Sequence, residues 1–414
     1  MTATPAATPT APAQRDPAVH AASPAQLHWL EGELRQWQAE GLVDEGLAAT
    51  LRGRYVASRR VTLARIVLTL GALFVGLGLI WLVAANLDQM APWVRFALMV
   101  AIWLGMVLVS ELLARRRLAD GDMASPVVGA VRLLAGGAYG AVVFQAAQSL
   151  QVPAYEPLLV GVWGLGVLLW AYAVRGLAPL VLGVGLVTFW FVWQVLDGGG
   201  GAFSVTTALG AAGLAAVAAG VLHAVRGWWP DASVPWREIG GALVLVALFV
   251  AALPFAWGEV QGSLTLWVGL VVTAALAAAA IALGSHLDRL EAALASVALV
   301  VSVVLSLWRY DVAGFDTTDV SGGAYLRAVI AVIAYLAVAS GYAVLGGQRD
   351  SSRLTWLATA SLVVFVPVQA FAVFAPILSG AALFLVIGVV LIGTGVLVDR
   401  GRRRLVAEGK EVLS

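Results

Sequence analysis

Five amides stand inside otherwise apolar segments of this 414-residue chain: Asn86, Gln145, Gln148, Gln194 and Gln369. An amide carries donors and an acceptor, so in hydrocarbon each must turn toward a neighbouring helix or toward a hydrated space. Two readings follow. The amides bridge helices as packing glue, or they form the polar floor of a cavity that opens outward and accepts a neutral or amphipathic molecule. Gln145 and Gln148 share a helix face at three-residue spacing, with Gln151 one turn on. The stretch VAANLDQMAPWVRF, residues 83–96, adds an ion-pair candidate, with Asp88 across a tight turn from Arg95. An arginine at that depth is costly unless it snorkels or pairs. In the same turn Asn86 is placed to cap one helix, Pro92 to start the next, and Trp93 to sit at the membrane interface.

Other chemistries lack their residues. With no cysteine there is no disulfide, thiol nucleophile or iron–sulfur ligand, and His20, His28, His223 and His286 show no metal-ligand spacing. A membrane hydrolase would need a GxSx-type serine with histidine, an HExxH helix or paired intramembrane aspartates. Gly198–Gly201 form a flexible turn and not a phosphate loop, because no Lys-Ser or Lys-Thr follows. Asp311, Asp316 and Asp319 are not spaced as a calcium loop and read as a solvated acidic segment. An ion-driven carrier calls for a buried carboxylate, whereas Glu111, Glu156, Asp197 and Glu259 fall at the ends of apolar runs. The expectation is therefore a protein without enzymatic activity, metal or cofactor.

The elements that position the amides follow from composition. The chain is 61% hydrophobic and 12% charged, with a mean hydropathy of +0.91, which places it among polytopic membrane proteins. A net charge of +1 in short clusters gives no footprint for nucleic acid. Basic residues are nearly all arginine, with Lys410 the single lysine, and with the alanine excess this suggests a GC-rich bacterial gene. Spanning about 30 Å of hydrocarbon takes about 20 residues. Twelve runs meet that length: 63–86, 92–114, 127–149, 156–174, 176–196, 203–225, 236–257, 264–285, 290–308, 323–345, 353–374 and 379–398. Only Arg175 and Gly176 divide the fourth from the fifth, which leaves a re-entrant or tilted pair open there.

Positive charge should collect in cytoplasmic connections. Arg52, Arg54, Arg59 and Arg60 precede the first run, Arg115–Arg117 follow the second, and Arg175, Arg226, Arg237, Arg289, Arg349 and Arg353 fall in alternate loops. Arg400, Arg402, Arg403, Arg404 and Lys410 follow the twelfth. Both termini are thus expected in the cytoplasm, with the chain in a bacterial inner membrane and the lipid bilayer as its first partner.

Ahead of the runs, residues 1–22 are rich in Ala, Pro and Thr and read as a disordered tail. Residues 23–60 read as a small cytosolic helical hairpin. Ser23 and Pro24 open its first helix, Leu27, Leu30, Leu34 and Trp37 form an apolar stripe, and Gly41 ends it. Asp44 caps a second helix with Leu47, Leu51 and Tyr55 at four-residue spacing. Residues 61–399 then form the transmembrane bundle and 400–414 a basic cytosolic tail, giving an all-α polytopic fold. The hairpin packs beside the membrane or docks a cytosolic protein.

Three stretches also carry a resemblance: LHWLEGELRQWQAEGLVDEGLAATLRGRY, the run ending VAANLDQMAPWVRF, and FQAAQSLQVPAYEPLLVGVWGLGVLLWAYAVRGLAPL. Together, over roughly residues 27–195, they resemble the bacterial membrane-protein family catalogued as domain of unknown function 2157. That family has a cytosolic hairpin with a "GLI" turn, here Gly41, Leu42 and Val43, and an alanine-asparagine-tryptophan exit, here Ala85, Asn86 and Leu87, with leucine in the tryptophan position. The resemblance implies fold and location, and no catalytic residue.

Glycines at Gly71, Gly76, Gly78, Gly136, Gly140, Gly161, Gly164, Gly166, Gly388, Gly393 and Gly395 let helices approach closely, and Pro254 and Pro367 interrupt the seventh and eleventh runs. Two function classes remain. One is a carrier or flippase-like protein for a neutral or amphipathic molecule. The other is a non-transporting scaffold or sensor that acts through the hairpin. The arginine alternation predicts the topology directly: single cysteines introduced into this cysteine-free chain should be labelled from outside at position 319 and not at 349, and the reverse pattern would refute it.

Overall fold

A computed structural model describes residues 20–22, 24–57, 91–119, 126–309 except 154, 255 and 257, and 322–374, with isolated positions between 67 and 78 and Leu385. The chain divides into two units, residues 1–71 and 72–414.

In the first unit, α1 (Pro24–Ala39) begins at the proline that suits a first helical turn. Gly41, at φ +74°, takes the left-handed turn that follows. Asp44 caps α2 (Glu45–Gly53) by accepting the Leu47 N–H at 2.6 Å. Leu34 and Ala48 are buried, and Arg52 reaches Glu31 at 3.4 Å. Two differences from the sequence reading stand out. Leu47 is 48% exposed, so the inward face of α2 lies one residue on, at Ala48. Tyr55 leaves the helix altogether, because α2 stops at Gly53 and β2 (Tyr55–Ala57) pairs in parallel with β1 (His20–Ala22).

The second unit is helical. Its elements are α3 (Pro92–Ala119), α4 (Pro126–Ser149), α5 (Pro157–Val174), α6 (Leu177–Asp197), α7 (Ala202–Arg226), α8 (Ser233–Ala252), α9 (Leu264–Leu283), α10 (His286–Leu307), α11 (Gly322–Gln348) and α12 (Ser352–Phe374). Among the described residues nine helices are long and apolar enough to cross a membrane. The second to eleventh apolar runs correspond to α3–α12, while the first and twelfth lie outside the described residues except at isolated positions. The fourth and fifth runs are two separate helices, divided where Arg175 turns left-handed at φ 47°. Pro254 sits just beyond the end of α8 instead of interrupting it, whereas Pro367 lies within α12.

Helix α7 is the hub, buried along most of its length, and it packs on α6, α8, α9 and α10. Helix α8 packs on α6, α7, α10, α11 and α12. Small residues permit this crowding. A Cβ on Gly213 would stand 2.7 Å from the Val244 amide nitrogen, and one on Gly240 would stand 2.7 Å from the Gly213 carbonyl, so the two backbones touch. Along α4 and α5, Gly140 and Gly161 leave room for the indoles of Trp163 and Trp190. The main core then runs from Leu214 and Val217 through Val244–Leu248 to Tyr335, Tyr342 and Phe365.

Helices α7 and α8 run antiparallel, with Gly213 against Val244 and Gly220 against Arg237. The turns near Arg175, Arg226, Arg237, Arg289, Arg349 and Arg353 meet at one end of the bundle, where Tyr172 contacts His223 and Arg349 contacts Glu291. The Gly240→Ala substitution should lower stability by about 1–3 kcal/mol through overpacking, whereas Gly137→Ala, with nothing within 4 Å, should not. Thermal unfolding in detergent checks the contrast.

Candidate functional site

At the arginine end three helix boundaries converge. A short 3-10 turn at Pro230–Ala232 feeds α8, so that Arg237 falls in its second turn. Ser285 caps α10 through a capping box with Asp288, which leaves Glu291 one turn further on the same face. The α11–α12 turn holds Arg349, followed by Asp350 at φ 52°.

These residues close an ion-pair ring. Arg237 donates from Nη2 to Asp288 Oδ1 at 2.6 Å and from Nη1 to Glu291 Oε2 at 3.1 Å. Arg349 repeats the pattern, at 2.8 Å to Asp288 Oδ1 and 2.6 Å to Glu291 Oε2. The other Asp288 oxygen accepts the Ser285 hydroxyl at 2.7 Å and its amide at 3.1 Å. Two positive and two negative groups cancel, and the Glu291 side chain is fully buried. Gly220 makes the approach possible, since a Cβ there would meet the Arg237 stem at 2.6 Å. Three buried polar atoms beside the ring, Glu291 Oε1, Arg237 Nε and the Tyr342 hydroxyl, have no protein partner among the described residues. These atoms leave the ring with hydrogen-bonding capacity that its described protein partners do not use.

A neutral network lies beside it. The Trp236 indole donates to the Tyr172 oxygen at 2.9 Å, and Tyr172 shares a 2.7 Å bond with His223 Nε2. His223 Nδ1 lies 2.7 Å from the Ala219 carbonyl. With Nδ1 donating there, Tyr172 donates to Nε2, and all four groups are satisfied in the neutral tautomer. This chain ties α5, α7 and α8 together. Nearby, Arg132 forks onto Glu111 at 2.9 and 2.6 Å, joining α4 to α3.

At the opposite end Arg327 is 2% exposed. Its guanidinium donates to the carbonyls of Ala251 at 2.8 Å and of Leu253, Ala256 and Leu305 at 3.1 Å each. These acceptors sit at or just past the C-terminal ends of α8 and α10, where carbonyls lack intrahelical donors and the helix dipole favours a cation.

The sequence-predicted amides among the described residues lie on α4, α6 and α12. Gln145 is buried on α4 while Gln148 is exposed, although three residues separate them. Gln194 is half-buried on α6. Gln369 is buried on α12, where it donates to the Ala252 carbonyl at 3.4 Å beside the Arg327 cluster. Helix α4 packs on α3, α5 and α6, and α12 packs on α8 and α11, so Gln145 and Gln369 belong to different parts of the bundle. Asn86, Asp88 and the aspartates Asp311, Asp316 and Asp319 lie outside the described residues; Arg95 is half-buried on α3. Among the described residues no group of three or more His, Cys, Asp or Glu is placed to hold a metal ion.

Sequence reading missed Glu291, Asp288, Arg132 and Arg327. It placed carboxylates at run ends, yet Glu291 is wholly buried. The available signal was a charge inside an apolar run: Arg132 in 127–149, Glu291 in 290–308 and Arg327 in 323–345.

Residues 35–189 match the family model described as Predicted membrane protein (DUF2157). No curated protein and no solved structure matches the chain. The match spans the Glu111–Arg132 pair and ends within α6, so the ring and the Arg327 cluster lie beyond it.

The ring predicts a graded response. The Arg349→Gln change, which leaves two buried carboxylates short of a partner, should cost about 3–5 kcal/mol. At Arg353, paired with Glu238 at 3.5 Å and 58% exposed, Gln should cost less than about 1 kcal/mol. Thermal midpoints in one detergent compare them.

Proposed function

We propose that this membrane protein is a fixed, non-transporting platform, a scaffold or sensor, and that its N-terminal helices, residues 24–53, form a cytosolic hairpin that meets a protein partner. One observation carries the reading: α8 is clamped at both ends. The Arg237–Asp288–Glu291–Arg349 ring holds its start, and Arg327 with Gln369 holds the carbonyls at its finish.

A carrier must open one end while it closes the other, and each opening here would separate buried charges or strip buried carbonyls of their donors. Removing one partner of such a pair costs about 3–5 kcal/mol. The Gly213–Gly240 contact also leaves no room for a path between α7 and α8. Of the described amides, Gln145 and Gln194 lie on α4 and α6, which pack on each other, whereas Gln369 lies on α12 against α8. Orientation follows the arginine alternation, with the ring end and both termini in the cytoplasm of a bacterial inner membrane. No enzymatic step enters the proposal.

Spin labels test it. In the cysteine-free chain, one pair at 226 and 348 reports the ring end and a second at 150 and 260 the other. In lipid nanodiscs each pair should give a single narrow distance distribution. Two populations at both ends, one opening as the other closes, would overturn the platform reading and restore the carrier.

A further inference from the structure

A groove of about 450 Å³ lies between α8 and α12, lined by Glu238, Ser352, Arg353, Trp356, Leu357 and Ala360. Its mouth is at the ring end, but its chemistry is separate. Glu238 follows Arg237 in α8 and is rotated about 100° from it, so one residue faces α10 and the next faces α12. Arg353 Nη1 and Glu238 Oε1 stand 3.5 Å apart, at the limit of hydrogen bonding, and the two side chains remain 58% and 29% exposed. Each charge thus keeps free capacity for an incoming group. One turn along α12, Trp356 is 72% exposed, and Leu357 and Ala360 continue the apolar wall.

The occupant that fits carries one anion and one cation close together on an apolar chain. We infer that the groove binds a zwitterionic phospholipid of the phosphatidylethanolamine type, with its phosphate on Arg353 and Ser352, its ammonium on Glu238, and an acyl chain along Trp356, Leu357 and Ala360. Arginine matches phosphate through its planar fork, and the first-turn amides of α12 add positive field at the same place. A primary ammonium carries three hydrogen-bond donors, of which Glu238 can accept one or two. A choline headgroup has none to donate, and a glycerol headgroup supplies no cation. An exposed tryptophan at the polar–apolar boundary is the usual interfacial residue. The inference requires only that the helices span a bilayer and is independent of whether the bundle moves.

Native mass spectrometry of the full chain in detergent tests it, with equimolar dioleoyl phosphatidylethanolamine, phosphatidylcholine and phosphatidylglycerol as probes. The wild type should retain phosphatidylethanolamine over phosphatidylcholine by roughly tenfold, the size of one lost charge-assisted hydrogen bond. The Glu238→Gln change should bring that ratio close to one, Glu238→Asp should restore part of it, and Arg353→Gln should lower retention of all three lipids. Equal retention of ethanolamine and choline lipids by the wild type, a ratio untouched by Glu238→Gln, or retention of phosphatidylglycerol above phosphatidylethanolamine would each overturn the inference. Were Glu238→Gln to misfold, the wild-type ratio and the Arg353→Gln result decide it.

Discussion

A guanidinium withdrawn from water into a helical bundle has to find most of its acceptors within the protein. That constraint organises the second unit around α8. At one end Arg237 and Arg349 are answered by Asp288 and Glu291, and at the other Arg327 is answered by carbonyls that α8 and α10 cannot satisfy themselves. The two ends use different acceptors for the same donor. Carboxylates serve where four charged residues meet and cancel, and helix-terminal carbonyls accept from Arg327 at the other end.

Between the ends the sequence relies on small residues instead of apolar bulk. Lipid tails are as apolar as leucine, so apolar burial distinguishes poorly between one helix pairing and another, and close backbone approach decides. Gly213 and Gly240 provide that approach, and the alanines of α7 and α8 extend it along the buried core. Such smooth surfaces slide easily. The end clamps supply what they lack, because sliding α8 by a full turn along α7 would carry Arg237 about 5 Å from Gly220 and from Asp288.

The helices were legible because hydropathy is a property of the chain in one dimension. Runs read from sequence coincide with α3–α12 within a few residues, and the Arg175–Gly176 break, the weakest boundary, is a real one. Partner identity was not legible, since it depends on rotation about each helix axis and on which helices touch. Gln145 and Gln148 share a face by spacing, yet Gln148 falls in the last turn of α4, where the residues that follow are exposed too, and Gln145 one turn earlier is buried. Arg237 and Arg349 were read as loop charges in the arginine alternation, and both fold inward onto α10. In α2, periodicity found the helix and missed its rotation by one residue, which exchanges Leu47 for Ala48.

The matched family region and the remainder of the bundle solve the same problem in parallel. Within residues 35–189, Arg132 forks onto Glu111 and fixes α4 to α3. Beyond it, the ring fixes α8, α10 and the α11–α12 turn. Tyr172, His223 and Trp236 join the two regions with neutral hydrogen bonds. All three devices lie at the arginine-rich end, so the residues on which the expected orientation rests are drawn from the same set that locks the helices together. A substitution that weakens the locks at Arg237 or Arg349 therefore also removes positive charge from that side. The arginine pattern read from the sequence and the packing thus draw on the same guanidinium groups, whereas the exposed Arg353 in the first turn of α12 takes no part in the ring.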